Sequence, residues 1–365
     1  MKLQTHASSG GIALIIVMIV IIVLGIMAGG FAYSMKVETT LARRANADPD
    51  LEWLGRSGVE LARYILAQPV PNEPFDALNQ KWAGGPGSYT ANNLPLGGVP
   101  DPLSQISLEN NQLGAGHFSI KITDLERKAN VNLADQGLLQ QALFLVGVDP
   151  SSMSTIIDSV LDWRDADDNP HINGTESEYY LKQDPPYVAK NGPIDDLSEL
   201  LLIRGITPEM YWGPRGSNSV GVLNAQAITR SSRPLGAEPV GYQVGLVDLL
   251  TAISARQINV NTASASVLRL VLGDDFMVQE ILRQRAGLDG VDGTEDDIPF
   301  RSPQEIPLAG AGAQPAARLN NVFTVRSVSF EVQVDAEMGK IKKQFVAVLR
   351  RNSPRDIQVL YMYAK

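Results

Sequence analysis

The chain has 365 residues, 44% of them hydrophobic and 19% charged, a globular balance with room for one large domain or two. Its formal charge of −9 argues against a broad phosphate-binding face, which needs clustered Lys and Arg. With no cysteine, disulfides, thiolate nucleophiles and cysteine-based metal sites are excluded.

The first element is the most informative. Ile12 to Met35 carries no charged residue, and Ile12 to Leu24 is almost wholly Ile, Val, Leu and Met. About 20 such residues cross the hydrocarbon layer as a helix. Lys2 precedes the run, and Lys36, Arg43 and Arg44 follow it. Three processing outcomes are open. A signal peptide would be cut after Ala32, an uncleaved anchor would keep Met1, and a third kind of leader ends just before the apolar run. The junction Gly10-Gly11-Ile12-Ala13-Leu14 resembles this third kind, the prepilin leader, which implies a cut after Gly11 by a prepilin peptidase, a mature and methylated Ile12, and a helix that stays on the protein. Most pilins and pseudopilins carry Glu at the fifth mature position, where this chain has Ile16. A carboxylate at that depth costs on the order of 2.5–3.5 kcal/mol, and Ile16 avoids the cost.

Beyond the span, Lys36 to Ala47 is rich in helix formers. Asp48-Pro49 reads as a cap and first-turn proline that restart the helix with a kink. Leu54, Leu61, Ala62 and Ile65 then form an apolar stripe at helical spacing. Pro69 to Gly116 reads as loop or weak strands. His117 to Asp124 alternates as a half-buried strand. Helical segments dominate from Lys128 to Gln314, and strands return over Val322–Asp335, Gln344–Leu349 and Ile357–Tyr363, with a turn at Glu337–Lys340. Within the helical block, Asn130-Val131-Asn132-Leu133-Ala134 and Asn259-Val260-Asn261-Thr262-Ala263 open two similar stretches. Each is expected to begin a helix with Asn or Thr at the cap. Each is followed by a second helix, an Asp-rich loop and a short Glu-containing segment (196–204 and 302–306).

The first Asp-rich loop holds the densest carboxylates. Asp158, Asp162 and Asp165 share a helix face, Asp167 and Asp168 follow, and Glu176 and Glu178 lie beyond. Like charges at i, i+4 repel unless something neutralises them. A hard cation with six to eight oxygen ligands would do so, and calcium suits carboxylate loops. The alternative is a solvated acidic loop. The second loop, Asp289 to Asp297, offers Asp289, Asp292, Asp296 and Asp297 among glycines that permit tight turns. Neither has EF-hand spacing. No GxSxG, HExxH or phosphate-cradling glycine motif is present, so nothing points to an enzyme.

Several blocks together resemble the K-type minor pseudopilins of type II secretion systems (the GspK family). These are the leader junction with Ile16 in place of Glu, Leu161-Asp162-Trp163-Arg164-Asp165-Ala166-Asp167-Asp168, Glu176 to Tyr180, Asn191-Gly192-Pro193, Leu197 to Leu201, Arg204-Gly205-Ile206, and Asn259 to Ser264. The resemblance implies an α+β pilin-like fold with a long N-terminal transmembrane helix, a C-terminal antiparallel sheet and a large inserted all-α domain. Its parts would be a leader (1–11), a transmembrane helix (12–35), a pilin-like helix, loop and first strand (36–127), an insert of two related helical units (128–315) and C-terminal strands (316–365). It also implies capping of the pseudopilus with I-type and J-type minor pseudopilins, an inner-membrane anchor with a periplasmic domain, and calcium ligated from among Asp162, Asp165, Asp167, Asp168, Glu176 and Glu178. The competing reading is a membrane-anchored helix-hairpin-helix adaptor that binds nucleic acid. Its phosphate-cradling turn would be Leu272-Gly273-Asp274-Asp275, and two carboxylates there argue for no nucleic-acid partner.

Overall fold

The computed structural model describes residues 10–68, 74–87, 103, 106–213, 244–306 and 320–365; most of the leader lies outside them. Helix α1 (Gly10–Ala67) dominates the N-terminal part. Among the described residues its apolar first half packs against nothing, with Leu14 to Val37 exposed at every large hydrophobic position, and it is long and apolar enough to cross a membrane. The second half is amphipathic. Ala47, Leu51, Leu54, Val59, Ala62, Ile65 and Leu66 are buried against a sheet. Asp48-Pro49 does not restart the helix, which runs through unbroken with Pro49 inside it. Proline removes one intrahelical bond, but the buried residues on either side hold the axis to the sheet, and Lys343 Nζ donates to Asp48 Oδ1 at 2.7 Å.

The sheet has the order β1-β2-β7-β8-β9 and is antiparallel throughout, built from β1 (Asn111–Leu113), β2 (Gly116–Asp124), β7 (Ser329–Met338), β8 (Ile341–Ser353) and β9 (Asp356–Ala364). Alternation puts Phe118, Ile120 and Ile122 of β2 and Phe330, Val332, Val334 and Ala336 of β7 under the helix. Two glycines bring the layers close. A Cβ on Gly58 would lie 2.4 Å from Val334 Cγ1, and one on Gly55 would lie 2.5 Å from the Phe345 ring. Gly116 faces Leu54, and Ile120 faces Gly58, so β2 runs alongside α1 in the same direction. The end of β2 at Asp124 therefore lies at the end of the helix away from the apolar span.

At that end the chain leaves the sheet and returns at β7, whose Phe330 pairs with Asp124. The described residues between form an insert built on a second hydrophobic core, to which Phe75 and Ala77 also contribute. It contains β3 (Ala129–Asn130), α2 (Gln136–Val146), α3 (Pro150–Arg164), α4 (Ser177–Tyr180), α5 (Pro208–Trp212), α6 (Leu246–Leu249), β4 (Leu250–Thr251), β5 (Ile258–Asn259), α7 (Ala265–Leu272), α8 (Asp275–Arg285) and β6 (Phe323–Thr324). The insert is not purely helical: β3 pairs with β4, and β5 with β6, as two parallel two-residue bridges too short to leave a period in the sequence.

The two halves of the insert repeat one hydrogen-bond plan. Asn132 donates from Nδ2 to Ile194 O at 2.8 Å and accepts from Ile194 N at 2.7 Å; Asn261 does the same with Phe300 at 2.9 Å each way. Arg164 donates to the carbonyls of Val131 and Ala134, and Arg285 to those of Val260 and Ala263. The repeated asparagines are thus brackets between segments, not helix caps. The caps are Asp135 for α2 and Ser264 for α7. Asparagine serves here because its amide presents donor and acceptor together, as a backbone unit does.

Candidate cation site

Helix α3 carries Asp158 and Asp162 on one face and ends at Asp165. The loop after it folds back along that face. Asn173 donates from N and Nδ2 to Asp158 Oδ2 at 3.1 and 3.0 Å, and Thr175 Oγ1 lies 3.1 Å from Ser159 Oγ. Gly174 crosses so close that a Cβ would sit 1.9 Å from Asp162 Oδ2. The far side is pinned by aromatics: Trp163 meets Tyr180 edge-on at 5.3 Å, and Tyr180 stacks on Tyr187 at 5.2 Å. Trp163 Nε1 donates to Glu199 Oε2 at 3.3 Å.

Acceptor oxygens without donors collect inside this wrap. Among the described residues, eight buried side-chain polar atoms lack a hydrogen-bond partner, and five of them are here: Asp162 Oδ2, Asp165 Oδ1, both oxygens of Glu176, and Asn191 Oδ1. Asp162 is fully buried and Glu176 only 6% exposed. Asn191 is held by its Nδ2 donating to Asp167 O at 2.8 Å, with its backbone in the left-handed region at φ 47°. Orphaned buried acceptors cost about 1–3 kcal/mol each, more when charged. The strain shows in the titration: burial, then the charges of Asp162, Asp165, Asp168 and Asp167, push Glu176 up to about 7. Asp165 is raised by burial and by Asp167 and Asp162. The hydrogen bond to Asp162 raises His171, whose Nδ1 contacts Asp162 Oδ1, while its backbone N donates to the same oxygen at 3.0 Å. Acceptor-only oxygens of this density fit a divalent cation.

Not every expected carboxylate joins. Glu178 is exposed and held by Lys182 Nζ at 2.7 Å, which lowers its pKa; it belongs outside the cluster because α4 turns it to solvent. Asp167 and Asp168 are exposed, and Asp167 is held low by Asn169. The second loop is of a different kind. Asp292 forms a two-pronged pair with Arg285 at 2.8 and 2.6 Å. Asp296 accepts from Leu288 N, Asp289 N and Thr294 Oγ1, Asp297 from Gly293 N, and Asp289 from Val291 N. These four carboxylates already have donors and organise the loop; among the described residues, only the first loop gathers three ligand-type groups, Asp162, Asp165 and His171. At the Leu272–Asp275 turn, Asp274 caps Phe276 N at 2.8 Å and Asp275 meets Arg269 at 2.8 Å, so carboxylates occupy the place a phosphate would need.

A second polar centre, at the junction of insert and sheet, has no sequence signal. Asp124 Oδ2 accepts from Thr262 Oγ1 at 2.5 Å, Ser327 Oγ at 2.6 Å and Asn259 Nδ2 at 3.2 Å. Glu126 accepts from Ala255, Val328 and Ser329 N, and Arg351 pairs with Asp76.

The family model for type II secretion system protein K matches residues 117–213, a stretch that runs from β2 through the cation-site loop. The type II secretion system protein K of Pseudomonas aeruginosa is 28% identical over 368 residues, covering 96% of this chain and 91% of that one. That likeness runs along nearly the whole chain. The protein K of Klebsiella pneumoniae is 24% identical over 55% of this chain and 59% of its own, and that of Aeromonas hydrophila 26% over 55% and 60%. The chain thus matches about three-fifths of the length of those two relatives. The crystal structure of the GspK-GspI-GspJ complex from the enterotoxigenic Escherichia coli type 2 secretion system aligns with a TM-score of 0.63 at 19% identity, over 89% of this chain and 99% of that one, which establishes the shared fold.

Proposed function

We propose that the chain is a minor pseudopilin at the tip of the type II secretion pseudopilus, acting in assembly and not in catalysis. One observation carries this: the insert sits on the end of the pilin-like sheet furthest from the apolar span. Pilin-like subunits stack along their long helices, so a bulky insert there obstructs a subunit above while leaving the rest of α1 and the sheet edges for neighbours below. The apolar half of α1 would anchor the chain in the inner membrane with the remainder in the periplasm, after a prepilin peptidase cut behind Gly11 and methylation of Ile12. I-type and J-type minor pseudopilins would be the neighbours, by analogy with the Escherichia coli complex, in which GspK is joined to GspI and GspJ. Calcium would be held by Asp162, Asp165, Glu176 and Asn191, supplying the positive charge their oxygens lack.

The test is removal of the insert. Because β2 and β7 pair directly, a chain lacking residues 128–325 with a short Gly-Ser joint keeps its sheet register. It is expected to reach the membrane folded while losing control of pseudopilus number and secretion. Normal secretion and normal pseudopili from that chain would overturn the capping role. A mature N-terminal peptide beginning at Ile12 in native membranes supports the anchor and processing; a start at Met1 or Tyr33 counts against them.

A further inference from the structure

We propose that the free edge of β9 receives the C-terminal strand of another protein, with a basic side chain over Tyr361 and Tyr363 and its terminal carboxylate held by Arg350. The two edges of the sheet are unalike. β1 ends one side with three residues, whereas β9 leaves nine along the other and pairs only with β8. Natural edges are blunted by charge, proline or shortness, yet Ile357 to Ala364 contains no charged residue and no proline. Val359, Leu360, Tyr361 and Tyr363 are exposed there. A bulge opposite Val348 and Leu349 leaves Leu360 unpaired, and beyond it Tyr361 to Ala364 keep a regular register with β8.

The surroundings of this edge select the occupant. Tyr361 and Tyr363 stand opposite the buried Val348 and Val346, with their rings stacked at 6.1 Å. Burial, the neighbouring ring and the charges of Glu331 and Asp196 push Tyr361 up to about 12, and burial with the same two carboxylates raises Tyr363. A field that resists a phenolate draws in a cation, and aromatic faces accept one. At the insert end the track stops in a cleft of about 410 Å3, walled by Ile194, Asp195, Ala252 and Ser254 of the insert and by Arg350 and Tyr361 of the sheet. Arg350 is exposed there and has no ion pair among the described residues, while Asp195 already holds Lys190 at 2.6 Å. The free charge in the cleft is therefore positive and fits the carboxylate of a chain end. A strand ending in the cleft runs antiparallel to β9, as its neighbours do throughout the sheet. A second copy of β9 would set Asp356 opposite Lys365, but β9 runs opposite to α1. Such a pair would point the two apolar helices in opposite directions, which the anchor reading forbids within one bilayer.

The full chain in detergent is titrated, by fluorescence polarisation, with a labelled peptide of about seven residues that alternates valine and arginine and has a free C-terminus. Comparison peptides carry a C-terminal amide, glutamine for arginine, N-methyl groups on alternate backbone nitrogens, or the sequence of residues 356–365. The free-acid arginine peptide should bind about tenfold or more tighter than its amide, and N-methylation should abolish binding by removing ladder donors. Arg350→Ala should erase the preference for the free acid while leaving the amide bound as by wild type. Tyr361→Ala should erase the preference for arginine over glutamine, and Lys121→Ala, on β2, should change nothing. Both variant side chains on the track are exposed, so folding should be spared, which circular dichroism checks. No binding at millimolar peptide, equal binding of acid and amide, or binding that survives N-methylation overturns the proposal. Tighter binding of the 356–365 peptide than of the arginine peptide overturns it in favour of self-association. None of these outcomes touches the capping role, which the insert deletion tests separately.

Discussion

On the proposed cation reading, chelation should expose the cost of the five orphaned oxygens around Glu176. At about 1–3 kcal/mol each, their unrelieved burial amounts to roughly 5–15 kcal/mol as an upper range, large against the 5–15 kcal/mol net stability of a typical domain. A cation binding only the native state returns about 2.7 kcal/mol at a hundredfold excess over its Kd. For a cooperative unit of roughly 150–250 residues, that is a rise in Tm of roughly 5–10 °C. The sharper perturbation is Glu176→Gln. In chelator the variant removes one crowded charge and gives its amide hydrogens to Asp162 Oδ2 or Asp165 Oδ1, so it should melt above wild type. With millimolar calcium it has lost a ligand and should melt below wild type. Differential scanning fluorimetry of the full chain in detergent, with and without chelator, reads both orders. The reasoning fails if wild type does not respond to the cation, or if Glu176→Gln melts lower in both conditions, which would make Glu176 a structural carboxylate with partners.

Burial and the charge of Glu126, opposed by hydrogen bonds from Ser327 and Thr262, push Asp124 up to about 7. A carboxyl raised on folding stabilises below its unfolded pKa and loses that contribution as pH climbs through the folded value. The urea-unfolding difference between wild type and Asp124→Asn should therefore shrink by up to about 4 kcal/mol from pH 4 to 7.5, and a pH-independent difference refutes it. Gly58→Ala gains up to about 1 kcal/mol of helix propensity but must displace Val334, at about 1–3 kcal/mol. It should lower stability, while Gly30→Ala, with open space around it, should not. Arg285→Met leaves Asp292 and two carbonyls unpaired in a site where the side chain is 4% exposed. Chemical denaturation should report a loss of about 3–5 kcal/mol, and a loss under 1 kcal/mol would contradict the bracket's importance.

What was legible followed from period and length. The alternation of Phe118, Ile120 and Ile122, and of the C-terminal strands, is imposed by a sheet with one face under a helix, so the sequence carries it directly. The uninterrupted apolar run before Met35 is equally direct. The opposite fates of Glu176 and Glu178 were not legible, because two residues apart in a loop they differ only in how α4 begins. His171 and Asn191 were missed for a related reason: an isolated His and an Asn before Gly-Pro carry no pattern, although an Asn in the left-handed region is a turn signal. The junction draws on Asp76, Asp124, Asn259, Ser327 and Arg351, five positions without common spacing that meet only through the fold.

That junction bears on how an insert can serve as a cap. Closing an excursion of ~200 residues between two paired strands costs only about 4–5 kcal/mol of loop entropy, and a self-contained core in the insert offsets it. Tolerance alone, however, leaves a body that could swing on its two connections. The connections here are not free: Glu126, in the turn just after β2, accepts from Val328, just before β7, and from Ser329 at its start, and Asp124 accepts from Asn259 and Thr262 inside the insert. Arg351, on the neighbouring strand, ties Asp76 to the Ser327 carbonyl. Both crossings and the second helical unit are therefore fixed to one set of buried carboxylates. On the proposed capping role, an obstruction at the end of a stack works only if its direction is set, and these carboxylates would set it.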